Sequence, residues 1–332
     1  MKLTIGNHVT IILLSLAWCS VRSINASEKV IIDTDAGADD AVAILLTLKS
    51  EFKGFKVLAI TCTYGNIYIN NVVENVLKTL TIANRSNIPV YKGAEEALLK
   101  EYEPSDYFGF DGFGDFKFTE KITAKVDESK HAAVALVDLV KANPGEITLL
   151  SIGPLTNVAI AVALDPSFLK NLKKHIILGS STSGIGNVLP NVEFNFYQDP
   201  ESNYIALNRT NKTSTLFPWE TVRNSHIPLH WRTNVLGRLN STITNFLNKA
   251  ERISLLHSTS WTSSDAMAAA VMIWPEFIET SIITNVSPVV DGMARGSVLV
   301  DYTNITDKPK NAQIIQRFNV TAFQDTLLQL FS

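Results

Sequence analysis

The sequence predicts an α/β protein with an open, mostly parallel twisted sheet and helices on both faces. Short apolar runs rich in β-branched residues alternate along the chain with longer segments whose apolar residues recur at helical spacing. The short runs are apolar throughout, as strands buried between two helical layers must be. The chain of 332 residues is 46% hydrophobic and 18% charged, which is too apolar for a disordered protein.

The alternation defines the elements in chain order. The predicted strands carry the runs KVIID, KVLAIT, ITLLSI, HIILG and TSTLF, at residues 29–33, 56–61, 147–152, 175–179 and 213–217. The predicted helices cover residues 39–50, 69–83, 130–142 and 155–164. Residues 102–118, rich in aromatic residues and glycine, are predicted to form a long loop. The chain from residue 297 onward is predicted to form further strands and a final helix. Ligands of such sheets bind beyond the carboxyl ends of the strands, so the residues that follow each strand are the candidates for a site.

The N-terminal segment is typical of a signal peptide. Lys2 precedes an apolar stretch, residues 9–18, which is too short to span a bilayer but matches a signal-peptide core. We therefore predict a signal peptide at residues 1–23 and a single catalytic domain at residues 24–332. Later apolar runs, such as residues 266–274, are well short of the roughly 20 residues of a membrane span, so no transmembrane helix is predicted.

Glycosylation motifs and charge agree with an extracellular protein that binds small molecules. Eight N-x-S/T sequons, typical of a secreted glycoprotein, begin at Asn25, Asn84, Asn208, Asn211, Asn240, Asn285, Asn304 and Asn319. The net charge of −3 supplies no basic field, so neither nucleic acid nor a membrane surface is expected as a partner. Two cysteines cannot form a disulfide scaffold or a thiolate metal site, and removal of the signal peptide would leave Cys62 unpaired.

Four aspartates follow the first predicted strand within eight residues, namely Asp33, Asp35, Asp39 and Asp40. Carboxylates this close repel one another unless a cation neutralises them, and a set of oxygen ligands favours Ca²⁺ or Mg²⁺ over zinc. Favourable charge at a helix start would explain Asp39 and Asp40, but not all four. The sequence therefore predicts a metal site at the end of the first strand.

Two other motifs that use aspartates can be compared with this segment. An EF-hand loop requires an acidic or amide ligand at its fifth position and Glu at its twelfth, where a count from Asp33 finds Gly37 and Ile44. That motif is excluded. A phosphatase could use Asp33 as nucleophile and Asp35 as acid, but this hypothesis leaves the pair Asp39 and Asp40 without a role. It stays open as an alternative.

Residues 33–40 and the following Ala41 resemble the opening motif of the nucleoside hydrolase family, Asp-Thr-Asp-x-Gly-x-Asp-Asp-Ala. Later blocks resemble the family's motifs in the same order: Gly65-Asn66, Gly153-Pro154-Leu155-Thr156-Asn157, Gly186-Asn187 with Glu193-Phe194-Asn195, and Asp265-Ala266. Together they extend from residue 33 to about residue 270 and cover most of the chain. The resemblance implies a Rossmann-like fold and a Ca²⁺-dependent enzyme that hydrolyses the N-glycosidic bond of ribonucleosides. It also implies a homodimer or homotetramer.

The resemblance also implies a role for each matching residue. The implied Ca²⁺ ligands are the side chains of Asp35, Asp40 and Asp265 and the backbone carbonyl of Ile152. Asp35 is also implied as the general base that activates water. The implied substrate contacts are Asp39, Asn187, Glu193 and Asn195, with Asn66 close to the ion and the water.

The sequence departs from the family pattern where the base would bind. Ser264 occupies a position that is His in many members, and Phe108 is the nearest match to a second family His, so no proton donor is expected at either place. Purine-selective members hold the base between aromatic rings, and the candidates here are Phe108, Phe110, Trp219 and Trp261. We expect base contacts from Phe108 and Trp261 and a preference for purine nucleosides such as inosine or guanosine. The proton donors left open are His226, His230 and His257.

A non-catalytic protein that scavenges nucleosides is the alternative from a different functional class. Binding alone does not require a base that activates water, so the complete set of Asp35, Asp39, Asp40 and Asp265 favours an enzyme. The sequence thus predicts a secreted nucleosidase and leaves the scavenger as its alternative.

Overall fold

The computed structural model describes residues 28–101, 103–208, 212–256 and 258–332. Its strands are β1 Glu28–Thr34, β2 Phe55–Cys62, β3 Val90–Lys92, β4 Ile147–Ser151, β5 Lys174–Leu178, β6 Ser214–Phe217, β7 Ile227–Pro228, β8 Ser260–Trp261, β9 Ile278–Thr284, β10 Val286–Pro288, β11 Val298–Val300 and β12 Ala312–Phe318. Its α-helices are α1 Ala38–Lys49, α2 Ile69–Ile82, α3 Ala132–Ala142, α4 Thr156–Leu164, α5 Phe168–Asn171, α6 Phe194–Gln198, α7 Pro200–Asn208, α8 Trp219–Asn224, α9 Leu229–Asn234, α10 Thr242–Ala250, α11 Arg252–Leu256, α12 Ser264–Ile273 and α13 Val320–Phe331.

Eight strands form the central sheet in the order β3-β2-β1-β4-β5-β6-β12-β9. Neighbouring strands are parallel except β12 and β9, which are antiparallel. Two small antiparallel sheets, β7 with β8 and β10 with β11, lie outside it. The predicted α/β architecture with a mostly parallel sheet is therefore confirmed.

The two faces of the sheet are covered by separate helical layers. Along β1, Val30 and Ile32 are buried with α1, α2, α12 and α13, whereas Ile31 between them is buried with α3, α4 and α7. This alternation follows from the period of two in a strand, and burial on both faces explains why the strand sequence is apolar throughout. Among the described residues, no helix combines the length and apolar character needed to cross a bilayer.

The predicted elements match the observed ones closely, and the loop at 102–118 contains no helix or strand among its described residues. The helix predicted at 130–142 begins at Ala132, because the ring Nδ1 of His131 accepts the backbone N–H of Ala133 at 3.1 Å and caps it. The end of the chain forms β11, β12 and α13, as predicted. Cys62 is buried at the end of β2. The predicted signal peptide, Asn25, Asn211 and His257 lie outside the described residues.

Candidate active site

The carboxyl ends of β1, β2, β4 and β5 meet at one edge of the sheet, because these strands are adjacent and parallel. Above them lies a cavity of about 1320 Å³. Its lining includes all eight residues expected near the substrate or as a backbone ligand: Asp39, Asn66, Phe108, Ile152, Asn187, Glu193, Asn195 and Trp261. The residues brought together here come from segments of the chain more than 200 positions apart.

A carboxylate cluster lies next to the cavity, and Asp39 is the member that lines it. Asp39, Asp40 and Asp265 each place an oxygen within 4.8 Å of the others. Asp39 and Asp40 lie in the first turn of α1, and Asp265 lies in the first turn of α12. The helix starts therefore bring together carboxylates that are 225 residues apart in sequence, since 265 − 40 = 225. The cluster has the oxygen donors that a hard divalent cation prefers.

Asp35 lies beside this cluster and is completely buried. Its Oδ2 accepts the backbone N–H of Asn66 at 2.8 Å, while its Oδ1 has no hydrogen-bond partner among the described residues. Burial, followed by the negative charges of Asp40 and Asp39, raises the pKa of the Asp35 carboxyl well above its usual value. A buried oxygen without a partner beside three further carboxylates fits a bound cation.

Two glycines make room for the Asp35 carboxyl. A Cβ atom at Gly65 would lie 2.0 Å from Asp35 Oδ2, and one at Gly153 would lie 2.9 Å from Asp35 Oδ1. Both distances are shorter than non-bonded atoms allow. Glycine is therefore needed in the Gly65-Asn66 and Gly153-Pro154 motifs, because a side chain there would collide with the Asp35 carboxyl.

Asp40 is fixed by three donors. Its Oδ1 accepts the hydroxyl of Thr34, and its Oδ2 accepts the backbone N–H of Gly37 at 2.8 Å and the side-chain amide of Asn66 at 3.3 Å. Burial raises its pKa to about 6 in spite of these bonds. Burial, together with the charges of Asp39, Asp40 and Asp35, also raises the pKa of Asp265 well above normal. The charges of neighbouring aspartates thus raise the pKa values of Asp35 and Asp265, as is expected for carboxylates packed this closely.

Asp33 lies below the site and does not line the cavity. Its Oδ1 accepts the Thr61 hydroxyl at 2.6 Å and the Asn157 amide at 2.8 Å. The same Asn157 amide donates to the carbonyl of Cys62 at 2.9 Å. Burial raises the pKa of Asp33 to about 6. Asp33 thus joins β1 to β2 and α4 under the carboxylate cluster.

Glu193, Asn195 and Ile152 form one connected group. Glu193 caps α6 by accepting the backbone N–H groups of Asn195 at 3.0 Å and Phe196 at 3.2 Å, and it also accepts that of Ser180 at 3.1 Å. The Asn195 amide donates to the carbonyl of Ile152 at 3.1 Å. Burial raises the pKa of Glu193 to about 7. Ile152 follows the last residue of β4, so its carbonyl is at the edge of the sheet.

Glu220, which sequence reasoning missed, organises the loop that leads to Asn187. Its Oε1 accepts the Ser181 hydroxyl at 2.8 Å and the backbone N–H groups of Thr182 at 2.8 Å and Ser183 at 2.7 Å. Glu220 is buried on α8, and Asn187 is exposed at the cavity wall. No sequence signal relates a helix glutamate to a loop more than 30 residues earlier.

Aromatic side chains form the other wall of the cavity. Phe108, Trp219 and Trp261 line it, and Phe108 packs so closely on Gly37 that a Cβ there would lie 2.8 Å from the ring. Phe110, by contrast, is 83% exposed and does not line the cavity. His226 lines the cavity, whereas His230 does not. The Ser264 hydroxyl donates to Asp39 Oδ2 at 3.3 Å, so the residue at the family's His position contacts the carboxylate cluster.

Comparison with known proteins agrees with this geometry. The family model described as "Inosine-uridine preferring nucleoside hydrolase" matches residues 30–325. The chain belongs to this family. The Rossmann-like nucleoside hydrolase fold expected from the sequence is also confirmed. A solved structure titled "Inosine-Guanosine Nucleoside Hydrolase (IG-NH)" superposes with a TM-score of 0.85 and 29% identity, covering 92% of this chain and 98% of the other.

Two curated nucleoside hydrolase relatives carry names that refer to uridine or to pyrimidines. "Probable uridine nucleosidase 2" of Oryza sativa subsp. japonica is 40% identical over 178 residues, which cover 53% of this chain and 52% of the relative. "Pyrimidine-specific ribonucleoside hydrolase RihB" of Escherichia coli O157:H7 is 28% identical over 300 residues, covering 86% of this chain and 91% of the relative. The match thus spans about half the length of the rice relative and most of the bacterial one.

Proposed function

We propose that this protein is a Ca²⁺-dependent nucleosidase that hydrolyses the N-glycosidic bond of ribonucleosides to free base and ribose, with purine nucleosides preferred. The observation that carries the proposal is the buried Oδ1 of Asp35, which has no hydrogen-bond partner among the described residues. It lies beside the cluster of Asp39, Asp40 and Asp265, next to a large cavity that Asp39 lines. Family membership supports the same reaction.

The residues present fit a calcium site. The proposed ligands are the carboxylates of Asp35, Asp40 and Asp265 and the carbonyl of Ile152, all oxygen donors. A bound Ca²⁺ would neutralise these carboxylates and make a nearby water a better acid. Asn195 supports the set because its amide donates to the Ile152 carbonyl and fixes the peptide plane.

Asp35 serves as the general base. Asn66 holds this carboxylate in place through the bond to Oδ2, and Oδ1 has no hydrogen-bond partner among the described residues, so it can accept a proton from water. In the reaction, the water oxygen bonds to C1′, its proton passes to Asp35, and the base departs with the electron pair of the glycosidic bond. The departing base is protonated from solvent or by His226, which lines the cavity.

The ribose lies among oxygen-bearing side chains. Asp39, Asn187, Glu193 and Asn195 line the cavity and would bind the ribose hydroxyls. Cleavage of an N-glycosidic bond builds positive charge on the ribose, and anionic or amide oxygens around the ring stabilise that charge. Glu193 is held for this role by three backbone N–H groups.

Purine preference rests on the aromatic wall of Phe108, Trp219 and Trp261. Ring stacking favours the larger purine surface. The second candidate is pyrimidine preference, which the names of the rice and bacterial relatives favour. Family membership favours nucleoside hydrolysis over the phosphatase hypothesis, and the non-catalytic scavenger stays as the alternative to an enzyme.

The test is chromatographic identification of products from inosine, guanosine, adenosine, uridine and cytidine without added phosphate. The proposal predicts equal amounts of free base and ribose, fastest from inosine or guanosine. Fastest release from uridine would replace the purine preference with the pyrimidine one. Binding without release from any of the five would favour the scavenger.

We also propose that the protein is secreted and glycosylated, and that it assembles as a homodimer or homotetramer. Secretion and glycosylation are supported by the signal-peptide pattern at residues 1–23 and by the exposed sequons at Asn240 and Asn304, and the assembly is implied by the resemblance to the nucleoside hydrolase family. Asn285 is 9% exposed and donates to the Pro309 carbonyl at 2.8 Å, so we expect no glycan there. Peptide mapping of protein secreted from eukaryotic cells tests the sequons, and light scattering tests the assembly.

A further inference from the structure

A buried ion pair joins α9 to the end of α10 near the cavity. Arg232 is 1% exposed and Glu251 is 3% exposed. Arg232 donates to Glu251 Oε2 from Nε at 2.8 Å and from Nη2 at 2.5 Å. Its third nitrogen donates to Asn248 Oδ1 at 2.8 Å. Burial of two charges is costly even when they pair, so such a pair is a weak source of stability and suggests another use.

The pair holds Trp261 at its N–H group and at its ring face. The indole Nε1 donates to Oε1 of Glu251 at 2.5 Å, so each carboxylate oxygen of Glu251 has its own partner. The guanidinium carbon of Arg232 lies 5.9 Å from the Trp261 ring centroid, within the range of a cation–π contact. The Trp231 ring centroid lies at 5.9 Å from that of Trp261, with the planes at 34°.

Trp261 connects this network to the cavity. It is 3% exposed, lines the cavity, and pairs through β8 with Ile227 of β7. Because Glu251 occupies the indole N–H group, this group is not available to a molecule in the cavity. Asp265 of the carboxylate cluster follows Trp261 by four residues, so only a short segment of chain separates the ring from that cluster.

We propose that Arg232 and Glu251 are positioning residues, which hold the Trp261 ring as a rigid wall for the nucleoside base and thereby set which bases are accepted. This rests on the proposed function, because it requires that the cavity bind a nucleoside. A fixed ring loses little conformational freedom when a base packs on it, so the free energy of binding the base is more favourable.

The test is a double-mutant cycle between Glu251→Gln and Trp261→Phe, followed by KM and kcat for inosine and uridine. Glu251→Gln is expected to raise KM for inosine about ten-fold with a smaller change in kcat, and to alter the ratio of kcat/KM for the two substrates. In the Trp261→Phe background, where the indole N–H is absent, the same change is expected to alter KM less than about two-fold.

The matched control is Glu51→Gln, which breaks the ion pair of Glu51 with Arg85. Glu51 precedes β2 and Arg85 follows α2, so this pair lies at the opposite edge of the sheet from the cavity. It is expected to leave KM unchanged. An equal rise in KM with and without the Trp261 indole, or no rise at all, would overturn the positioning role.

Two further measurements keep the proposal open to refutation. If Glu251→Gln does not fold, a double variant with Arg232→Met and Glu251→Met takes its place in the cycle, because it removes both buried charges together. The ¹⁵N–¹H resonance of the Trp261 indole, assigned by its loss in Trp261→Phe, is expected to shift in the Glu251 variant, and an unmoved resonance contradicts the proposal.

If the wild-type protein releases no base, the proposed function fails, and the cycle is then measured as Kd for inosine. Absence of binding would overturn both.

Discussion

At the scale of single residues, the site brings together buried carboxyl groups and the hydrogen-bond donors that hold them in place. Burial raises the pKa values of the carboxyls of Asp35, Asp40 and Asp265, and the charges of neighbouring aspartates raise those of Asp35 and Asp265 further. Hydrogen bonds from Asn66, Thr34 and Gly37 nevertheless hold Asp35 and Asp40 in fixed positions. An unfavourable arrangement that is held this firmly is typical of functional sites.

Replacement of Asp35 tests the general base. Asp35→Asn keeps the shape and the acceptor for the Asn66 N–H but removes the proton acceptor, so kcat is expected to fall by about 10²–10⁴-fold or more. Base release under saturating inosine measures it, with circular dichroism to confirm folding. The control is Asp138→Asn, an aspartate paired with Lys130 at the surface, which should retain full activity. Near-normal kcat in Asp35→Asn would exclude this residue as the base.

A matched pair of phenylalanines tests the aromatic wall. Phe108→Ala removes a ring that lines the cavity and is expected to lower kcat/KM for inosine by about ten-fold, more than for uridine, because stacking on a purine is lost. Phe110→Ala, two residues away and 83% exposed, should change neither. Equal losses for inosine and uridine in Phe108→Ala would make Phe108 a structural residue of the loop.

At the scale of elements, the sequence predicted β1, β2, β4, β5 and β6 to within about one residue at each end. Patterns of this kind are reliable because a parallel strand is apolar on both faces and is followed directly by polar residues. The sequence also placed Asp35 and Asn66 after strands, where the structure has them, whereas Ile152, the last residue of a predicted strand, lies one position beyond β4. It could not identify Glu220 or the pair of Arg232 and Glu251, because their partners lie on other elements and no local pattern marks a buried charge.

The loop between β5 and α6 provides an element-scale prediction. Glu220→Ala removes the acceptor for Ser181, Thr182 and Ser183, so the loop loses its anchor and Asn187 loses its position at the cavity. KM for inosine is expected to rise about ten-fold, with kcat affected less, since a ground-state contact is weakened. Steady-state kinetics measure it. The surface variant Glu279→Ala on β9 is the control, and an unchanged KM in Glu220→Ala would show that the loop holds its position without Glu220.

A buried histidine on β5 gives the sheet a pH dependence. Burial lowers the pKa of His175 to about 3, so the unfolded chain binds a proton at this group more readily than the folded one. Its contribution to stability is complete above pH 6.5, the ordinary pKa, and declines as the pH falls toward 3. At pH 5.5, one unit below the ordinary pKa, the loss is roughly 1 kcal/mol. Urea unfolding of the wild type and His175→Gln at pH 7.5 and pH 5.5 should therefore show a stability difference that shifts by this amount in favour of the variant. A constant difference would contradict the assignment.

At the scale of the whole molecule, the parallel order of the sheet explains how distant segments make one site. Asp35 follows β1, Asn66 follows β2 and Ile152 follows β4, while the starts of α1 and α12 bring the other carboxylates to the same edge. The ordered motifs allowed the sequence to predict this assembly. The aromatic wall was harder to predict, because Phe108 and Phe110 look alike in sequence and only the path of the loop separates a cavity residue from an exposed one.

The most direct test of the calcium-dependent nucleosidase is base release from inosine after dialysis against a calcium chelator, followed by addition of Ca²⁺ or Mg²⁺. The proposed function predicts that chelation abolishes release, and that Ca²⁺ restores it in the wild type but not in Asp35→Asn. Restoration by Mg²⁺ alone would keep the metal site and change its ion. Full activity of the dialysed, metal-free enzyme would contradict the proposal that the carboxylate cluster works with a bound cation.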